Sequence, residues 1–228
     1  MGAGGAENAG GGDIEVVGYS ARYLDAFRHL MDAEGSSRFT DDPVDPGGAT
    51  KWGISLRFLA AEGAFDADGD GRADFDLDMD GDIDGADIRA LTEADAKVIY
   101  LRCFWQPLAA DRLPRPLGEA LFDQAVNGGR SAASKLLQRA VNTCIMTAQR
   151  AGTSNGQPRI AVDGAIGPGT LQAVGWVLHH PQLGMPAMIA TLRDAAKERY
   201  RAIVRANPSQ QRFLKGWLAR ADALGRFS

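Results

Sequence analysis

Three observations predict a mainly α-helical protein. Apolar residues recur at helical spacing through most of the longer segments. Gly and Pro clusters fall between those segments and break them. What lies outside the helices is turn-rich or strongly acidic, which leaves little room for strands.

The first helix is expected from Tyr19 to Met31. Tyr23, Phe27, Leu30 and Met31 make one apolar stripe, with Ser20 suited to cap its start and Gly35 its end. Glu34 continues that stripe at the last turn. Ser36 to Gly53 cannot be helical, because Pro43, Pro46, Gly47 and Gly48 interrupt it, and a small hairpin fits this stretch. Ile54 to Ala61 suits a short helix. Thr92 to Trp105 suits a longer one, with Thr92 and Asp95 spaced as a capping box and Ala94, Val98, Leu101 and Trp105 at helical intervals.

Beyond Pro114 and Pro116 the chain reads as helices from Leu117 to Asn127 and from Ser131 to Cys144, parted by Gly128 and Gly129. Thr153 to Gly167 is a loop. Pro168 suits the first turn of a helix reaching Leu178. Two further helices are expected, Pro186 to Ala206 and Ser209 to Leu224, with Asn207 and Pro208 between them.

The chain of 228 residues is long enough for one large core or two smaller ones. Its 45 % hydrophobic and 24 % charged residues are ordinary for a soluble globular protein. No apolar run reaches the roughly 18–20 residues needed to cross a bilayer. Met1 to Gly12 is mostly Gly and Ala and lacks the basic start and apolar core of a secretory signal. Residues 1–18 are expected to be a flexible tail. Cys103 and Cys144 fall in predicted helices and read as two buried thiols, although a single bridge stays open.

The net charge of −4 hides a strong asymmetry. Ten Asp and one Arg between residues 66 and 87 give −9, so the rest of the chain carries +5. Met188 to Ser228 alone carries +6. A mildly basic body suits an anionic polymer, but an ordinary solvated surface looks the same.

The acidic run has internal order. Asp76, Asp78 and Asp80 occupy positions 1, 3 and 5 of an EF-hand-type loop. Gly81 takes the sharp turn, Asp82 and Asp84 follow at 7 and 9, and Asp87 stands at 12 where a bidentate Glu is usual. Asp66, Asp68, Asp70 and Asp74 repeat the opening of the pattern around Gly71, without an acid at position 12. Alternate Asp residues on a curling loop supply the hard oxygen ligands that calcium needs. One or two structural calcium ions are therefore expected, with none needed for catalysis.

Glu34 draws attention on other grounds. A carboxylate at a helix C-terminus meets an unfavourable dipole, and one that continues an apolar stripe is partly desolvated. Both effects favour the neutral, proton-donating form that general-acid chemistry requires. Asp41, Asp42, Asp45 and Thr50 follow within the turn-rich stretch.

Glu34-Gly35, then Asp42-Pro-Val-Asp-Pro-Gly-Gly-Ala-Thr50-Lys-Trp-Gly-Ile54, resembles the signature of glycoside hydrolase family 108, which comprises N-acetylmuramidases found as phage endolysins and bacterial lysozymes. Ser36 stands where that signature has a second Gly. The resemblance implies a lysozyme-like helical fold with a turn or hairpin at the active site, into which the calcium loop read from the Asp spacing is an insert. It implies hydrolysis of the β-1,4 bond between N-acetylmuramic acid and N-acetylglucosamine, with Glu34 as the acid. Asp45 and Thr50 best match the remaining catalytic positions, and Asp42 rivals Asp45. Trp52 either lines the sugar cleft or belongs to the core. A lytic transglycosylase and a non-catalytic, calcium-dependent wall-binding protein are the alternative readings.

Leu121 to Gly128, Leu137-Gln138 and Val162-Asp-Gly-Ala-Ile-Gly-Pro-Gly-Thr-Leu171 resemble the peptidoglycan-binding-like segment that follows the catalytic one in this family, and Phe213, Trp217 and Arg220 match its ending. Residues 19–112 then form the catalytic segment and 113–228 a helical segment that completes the fold. Asp123 and Asn127, four residues apart on one helix, are candidates to face substrate. The implied partner is the peptidoglycan polymer, approached by a monomer that neither binds nucleic acid nor enters a membrane. Synthesis in the cytoplasm and release through a holin-like pore or by lysis complete the expectation.

Overall fold

The computed structural model describes residues 18–34, 37–41, 47–62, 66, 69 and 71–226, with the backbone alone at Ala33 and Glu34. The expected tail therefore lies outside the described residues, apart from Gly18.

Among the described residues the architecture is nine α-helices and one two-stranded hairpin. Helix α1 spans Ala21–Glu34. The hairpin pairs β1, Thr50–Lys51, with β2, Ile54–Ser55, and leads directly into α2, Leu56–Glu62. After the acidic segment come α3, Gly85–Ala90, and α4, Glu93–Tyr100, which runs on as a π-helical turn over Leu101–Trp105. The rest is α5, Leu117–Gly128; α6, Arg130–Arg150; α7, Pro168–His179; α8, Gly184–Ala206; and α9, Gln211–Ala223.

Most of these elements stand where the apolar spacing puts them, with two differences. Ile54–Ser55 is strand rather than helix start, because Ile54 pairs with Lys51 before the chain turns helical. Helix α3 has no counterpart in the predicted elements. Its start is a capping box: Asp84 accepts from the Ala86 N–H and the Asp87 carboxylate takes the Asp84 N–H. The Thr92–Asp95 box of α4 forms as expected.

The core is one continuous buried cluster from Tyr23 to Leu224. Its centre is aromatic and lies where α1, α4 with its π turn, and α5 meet. Tyr23, Trp105 and Phe122 have ring centroids 5.4–6.1 Å apart, and Tyr100 approaches Phe27, Phe104 and Phe122 at 5.7–6.2 Å. Offset and edge-on rings at such spacing add to the burial of area. Three polar tips in this cluster find partners. Trp105 Nε1 donates to Asp111 at 2.7 Å, the Tyr23 hydroxyl to the Lys97 carbonyl at 2.5 Å, and the Tyr100 hydroxyl to the Trp52 carbonyl at 3.0 Å. Burial pushes the Tyr23 phenol far up, so it stays a neutral donor.

Trp52 and Gly53 both have positive φ, 55° and 71°, as a two-residue hairpin turn of this hand requires. Gly53 answers a second demand too. A Cβ there would sit 2.7 Å from the Tyr100 hydroxyl oxygen.

Behind the aromatic centre, α6, α7, α8 and α9 pack against one another, and α5 joins them to α1. Glu119 of α5 is buried at 2 % exposure. It accepts from Arg22 of α1 at 3.0 and 2.9 Å and from Arg115 at 2.8 Å. Both cysteines are buried and unpaired, and burial raises the Cys103 thiol to about 11. Among the described residues no helix is long and apolar enough to cross a membrane.

Two outcomes follow for stability. Tyr100→Phe strands the Trp52 carbonyl and is expected to cost about 1–2 kcal/mol in chemical denaturation. Burial raises the Glu119 carboxyl, but the hydrogen bonds from Arg22 and Arg115 outweigh it and hold the group below its usual range. Its contribution is therefore present above the unfolded value of about 4.3 and lost as pH falls through the lower folded value. Glu119→Gln is expected to lose about 2 kcal/mol at pH 7, the low side for a buried pair because both guanidinium groups are partly exposed. The gap from the parent should begin to narrow below about pH 4 and close only once pH passes the lower folded value, in melting curves taken across pH.

Candidate active site and acidic loop

Helix α1 ends at Glu34, in line with the apolar stripe that starts at Tyr23. The Glu34 side chain, Asp42 and Asp45 lie outside the described residues. Around them the structure defines a frame. Thr40 and Thr50 bridge antiparallel, with reciprocal N–H to carbonyl bonds of 2.9 and 2.8 Å. The chain leaving α1 is thus brought back beside β1. The Gly47 and Ala49 carbonyls accept the Arg57 and Leu56 N–H groups at the start of α2. Those donors would otherwise be orphans of the helix start.

Thr50 sits on β1, half-buried, with its hydroxyl donating to the Gly48 carbonyl at 3.3 Å. Trp52 is half-buried and packs on the core, and its indole N–H donates to the Leu91 carbonyl at 3.3 Å. Of the two readings of Trp52, this contact favours the structural one.

The hairpin rests on α3. The Lys51 ammonium donates to the Arg89 carbonyl at 2.6 Å, the Arg89 guanidinium lies 4.7 Å from the centre of the Phe39 ring, and Leu91 takes the Trp52 indole. One short helix therefore touches both sides of the frame around Thr50. Sequence reasoning missed this link. Its signal was the Asp84–Asp87 spacing, which serves equally as a capping box and as two ligand positions.

The acidic loop delivers α3. The Asp76 carboxylate accepts the Asp80 and Gly81 N–H groups at 3.2 and 2.9 Å. Asp66 does the same for Gly69 and Gly71 at 2.7 and 2.9 Å. Both candidate loops thus fold their first Asp onto the glycine at position 6, and Gly71 and Gly81 take φ of 85° and 101°. Asp87 is buried. Its carboxylate holds the Leu77 N–H at 2.7 Å and the Asp84 N–H at 2.7 Å, and so ties the loop's two ends together.

Carboxylate oxygens of Asp76, Asp78 and Asp80 lie within 4.8 Å of one another. Partial desolvation and the neighbouring Asp80 raise the Asp78 carboxyl, and Asp80 first of all raises that of Asp82. A converging, oxygen-only set of like charges fits a hard divalent cation. Asp74 instead pairs with Arg102 at 2.7 Å, and Asp68 and Asp70 lie outside the described residues.

The remaining candidates lie on α5. The Asp123 carboxylate accepts from Arg220 of α9 at 2.9, 3.2 and 3.3 Å. It lines a cavity of about 170 Å³ with Leu30, Glu119 and Phe122. Asn127 is exposed, and its amide donates to the Asp123 carbonyl one turn back. Asp123 therefore pins α5 to α9.

Residues 27–129 match the family described as glycosyl hydrolase 108, and residues 132–222 match a predicted peptidoglycan domain. No protein of curated function matches the chain. Among solved structures, one titled "Structure of Brucella abortus SagA" is similar, with 29 % identity over 91 % of this chain and 97 % of that one and a TM-score of 0.59. The glycosyl hydrolase 108 segment and the peptidoglycan-type segment behind it together support a glycosidase acting on peptidoglycan.

Proposed function

We propose that the protein is a muramidase that hydrolyses the β-1,4 bond between N-acetylmuramic acid and N-acetylglucosamine. Glu34 protonates the leaving oxygen, and Asp45 with Thr50 places the attacking water. Asp42 is the alternative partner to Thr50. The observation that carries the reading is the frame: α1 terminates at Glu34, and the Thr40–Thr50 bridge returns the intervening loop to the hairpin. A helix C-terminus disfavours negative charge, which keeps a carboxyl at that position ready to donate. A general acid and a second polar group across a scissile bond are what glycoside hydrolysis requires.

The acidic loop serves this site by holding α3, on which the hairpin rests. Asp76, Asp78 and Asp80 are the residues that would hold a structural calcium ion. Asp82 and Asp84 continue the loop, and Asp87 closes it. Asp66, Asp68, Asp70 and Asp74 would form a second, weaker loop, because Asp74 is already engaged by Arg102. Bound calcium would neutralise the repulsion among the carboxylates, and it supplies no step of the bond cleavage.

Glu34→Gln is expected to melt like the parent while losing on the order of 10²–10⁴-fold in murein lysis, read on a zymogram of purified sacculi. A lytic Glu34→Gln protein would refute the assignment of the acid. Calcium at a hundredfold excess over its Kd should stabilise the fold by about 2.7 kcal/mol. That corresponds to a rise of roughly 5–10 °C in melting temperature, reversed by chelator. Asp78→Asn with Asp80→Asn should abolish the rise, and a melting temperature indifferent to calcium would reduce the loop to a hydrogen-bonded turn.

A further inference from the structure

A groove of about 800 Å³ opens where the two family segments meet, and it contains none of the residues of the Glu34–Thr50 frame. Phe58 and Glu62 of α2, Phe104, the end of α5 and the first turns of α6 form its walls, and Arg199 reaches in from α8. Four cations, Arg130, Lys135, Arg139 and Arg199, face one carboxylate, Glu62.

The cations differ in what they already hold. Arg130 pairs with Glu62 at 2.8 Å and also donates to the Cys103 carbonyl at 2.9 Å. Arg199 donates to the Gly128 carbonyl at 3.2 Å, a neutral partner that leaves its charge uncompensated. Among the described residues Lys135 and Arg139 make no ion pair. The nearby Asp163, whose carboxylate is taken up by Gln138 and the Ala165 N–H, feels the Lys135 charge.

The backbone agrees with the side chains. Helix α6 is 21 residues long and begins after Gly129, which has no side chain to cap it. Its first N–H groups therefore stay available at the positive end of a long dipole. A Cβ on Gly128 would lie 3.0 Å from the Arg199 guanidinium, whereas one on Gly129 would meet nothing within 4 Å. The first glycine admits the cation and the second keeps the helix start open.

We propose that this groove binds the free carboxylates of the peptide stems that substitute the glycan of peptidoglycan. The proposal rests on the peptidoglycan reading above and assigns the anionic part of that polymer to a surface apart from the catalytic frame. The rings in the groove argue against a pyranose platform. Phe104 is buried, and Phe58 stacks on it with centroids 5.1 Å apart. The muramic carboxyl is consumed in the amide to its stem, so the negative charge of murein resides in the stem carboxylates. Guanidinium and ammonium groups select such groups by charge-assisted hydrogen bonds. The surface continues past Arg139 and Arg199 into a second groove of about 850 Å³ between α6 and α8, which gives an extended ligand room to run on.

Calorimetric titration of the full chain with the tripeptide L-Ala-γ-D-Glu-meso-diaminopimelate tests this. Binding is expected, weakened by at least about tenfold when the peptide's carboxyls are amidated or when Lys135→Ala and Arg139→Ala are combined. The same double variant should melt like the parent. Equal binding of the amidated peptide, or full binding by the variant, overturns the proposal. So does tighter binding of a glycerol-phosphate oligomer, which would make the groove a phosphate-polymer site. The titration involves no bond cleavage. A negative result therefore leaves the muramidase reading standing, and a failure of lysis leaves the groove standing.

Discussion

The structure depends on one aromatic cluster whose polar tips are satisfied at its edges. Tyr23, Tyr100, Trp105 and Phe122 join α1, α4 and α5, and two of their hydroxyls end on backbone carbonyls. The Tyr23 hydroxyl ties α1 to α4 through Lys97. The Tyr100 hydroxyl ties α4 to the hairpin through Trp52. The position of Thr50 relative to the helix that ends at Glu34 is thus set by rigid rings rather than by the loop between them. Gly53 follows from this constraint, because the Tyr100 oxygen occupies the place of its missing side chain.

The acidic loop acts from the other side. Asp87 is buried and draws the loop's ends together, and α3 then presents Arg89 and Leu91 to the hairpin. Two supports meet at the same few residues. One is apolar and built into the core, and the other depends on charge. This arrangement explains how a loop with no place in the chemistry can still govern the geometry of the site.

Much of the fold was legible in the sequence because its signals are local. The stripe from Tyr23 to Met31, the Thr92–Asp95 capping box and the break at Asn207 and Pro208 each depend on neighbours in the chain, and each stands as expected. The glycine at position 6 of both acidic loops was equally local, and the N–H of each donates to the carboxylate of the first Asp of its loop. Helix α3 was hidden because the Asp spacing reads as ligands before it reads as a cap. Trp52 was ambiguous because its partner, the Leu91 carbonyl, is 39 residues away. The partner of Asp123 was equally out of reach, since Arg220 is 97 residues on. The basic groove was illegible for the same reason, since its cations come from two helices and its walls from four separate stretches of chain.

The peptidoglycan-type segment is joined to the catalytic one by a shared core, with α5 packed against both α1 and α6. The two segments accordingly form one folded body. The central claim is that the frame around Glu34 directs water to the glycosidic carbon. Mass spectrometry of the soluble fragments released from purified murein tests it most directly. The account predicts muropeptides ending in reducing N-acetylmuramic acid. Fragments ending in 1,6-anhydro-N-acetylmuramic acid would show that the muramic 6-hydroxyl, and not water, closes the reaction, and would contradict it.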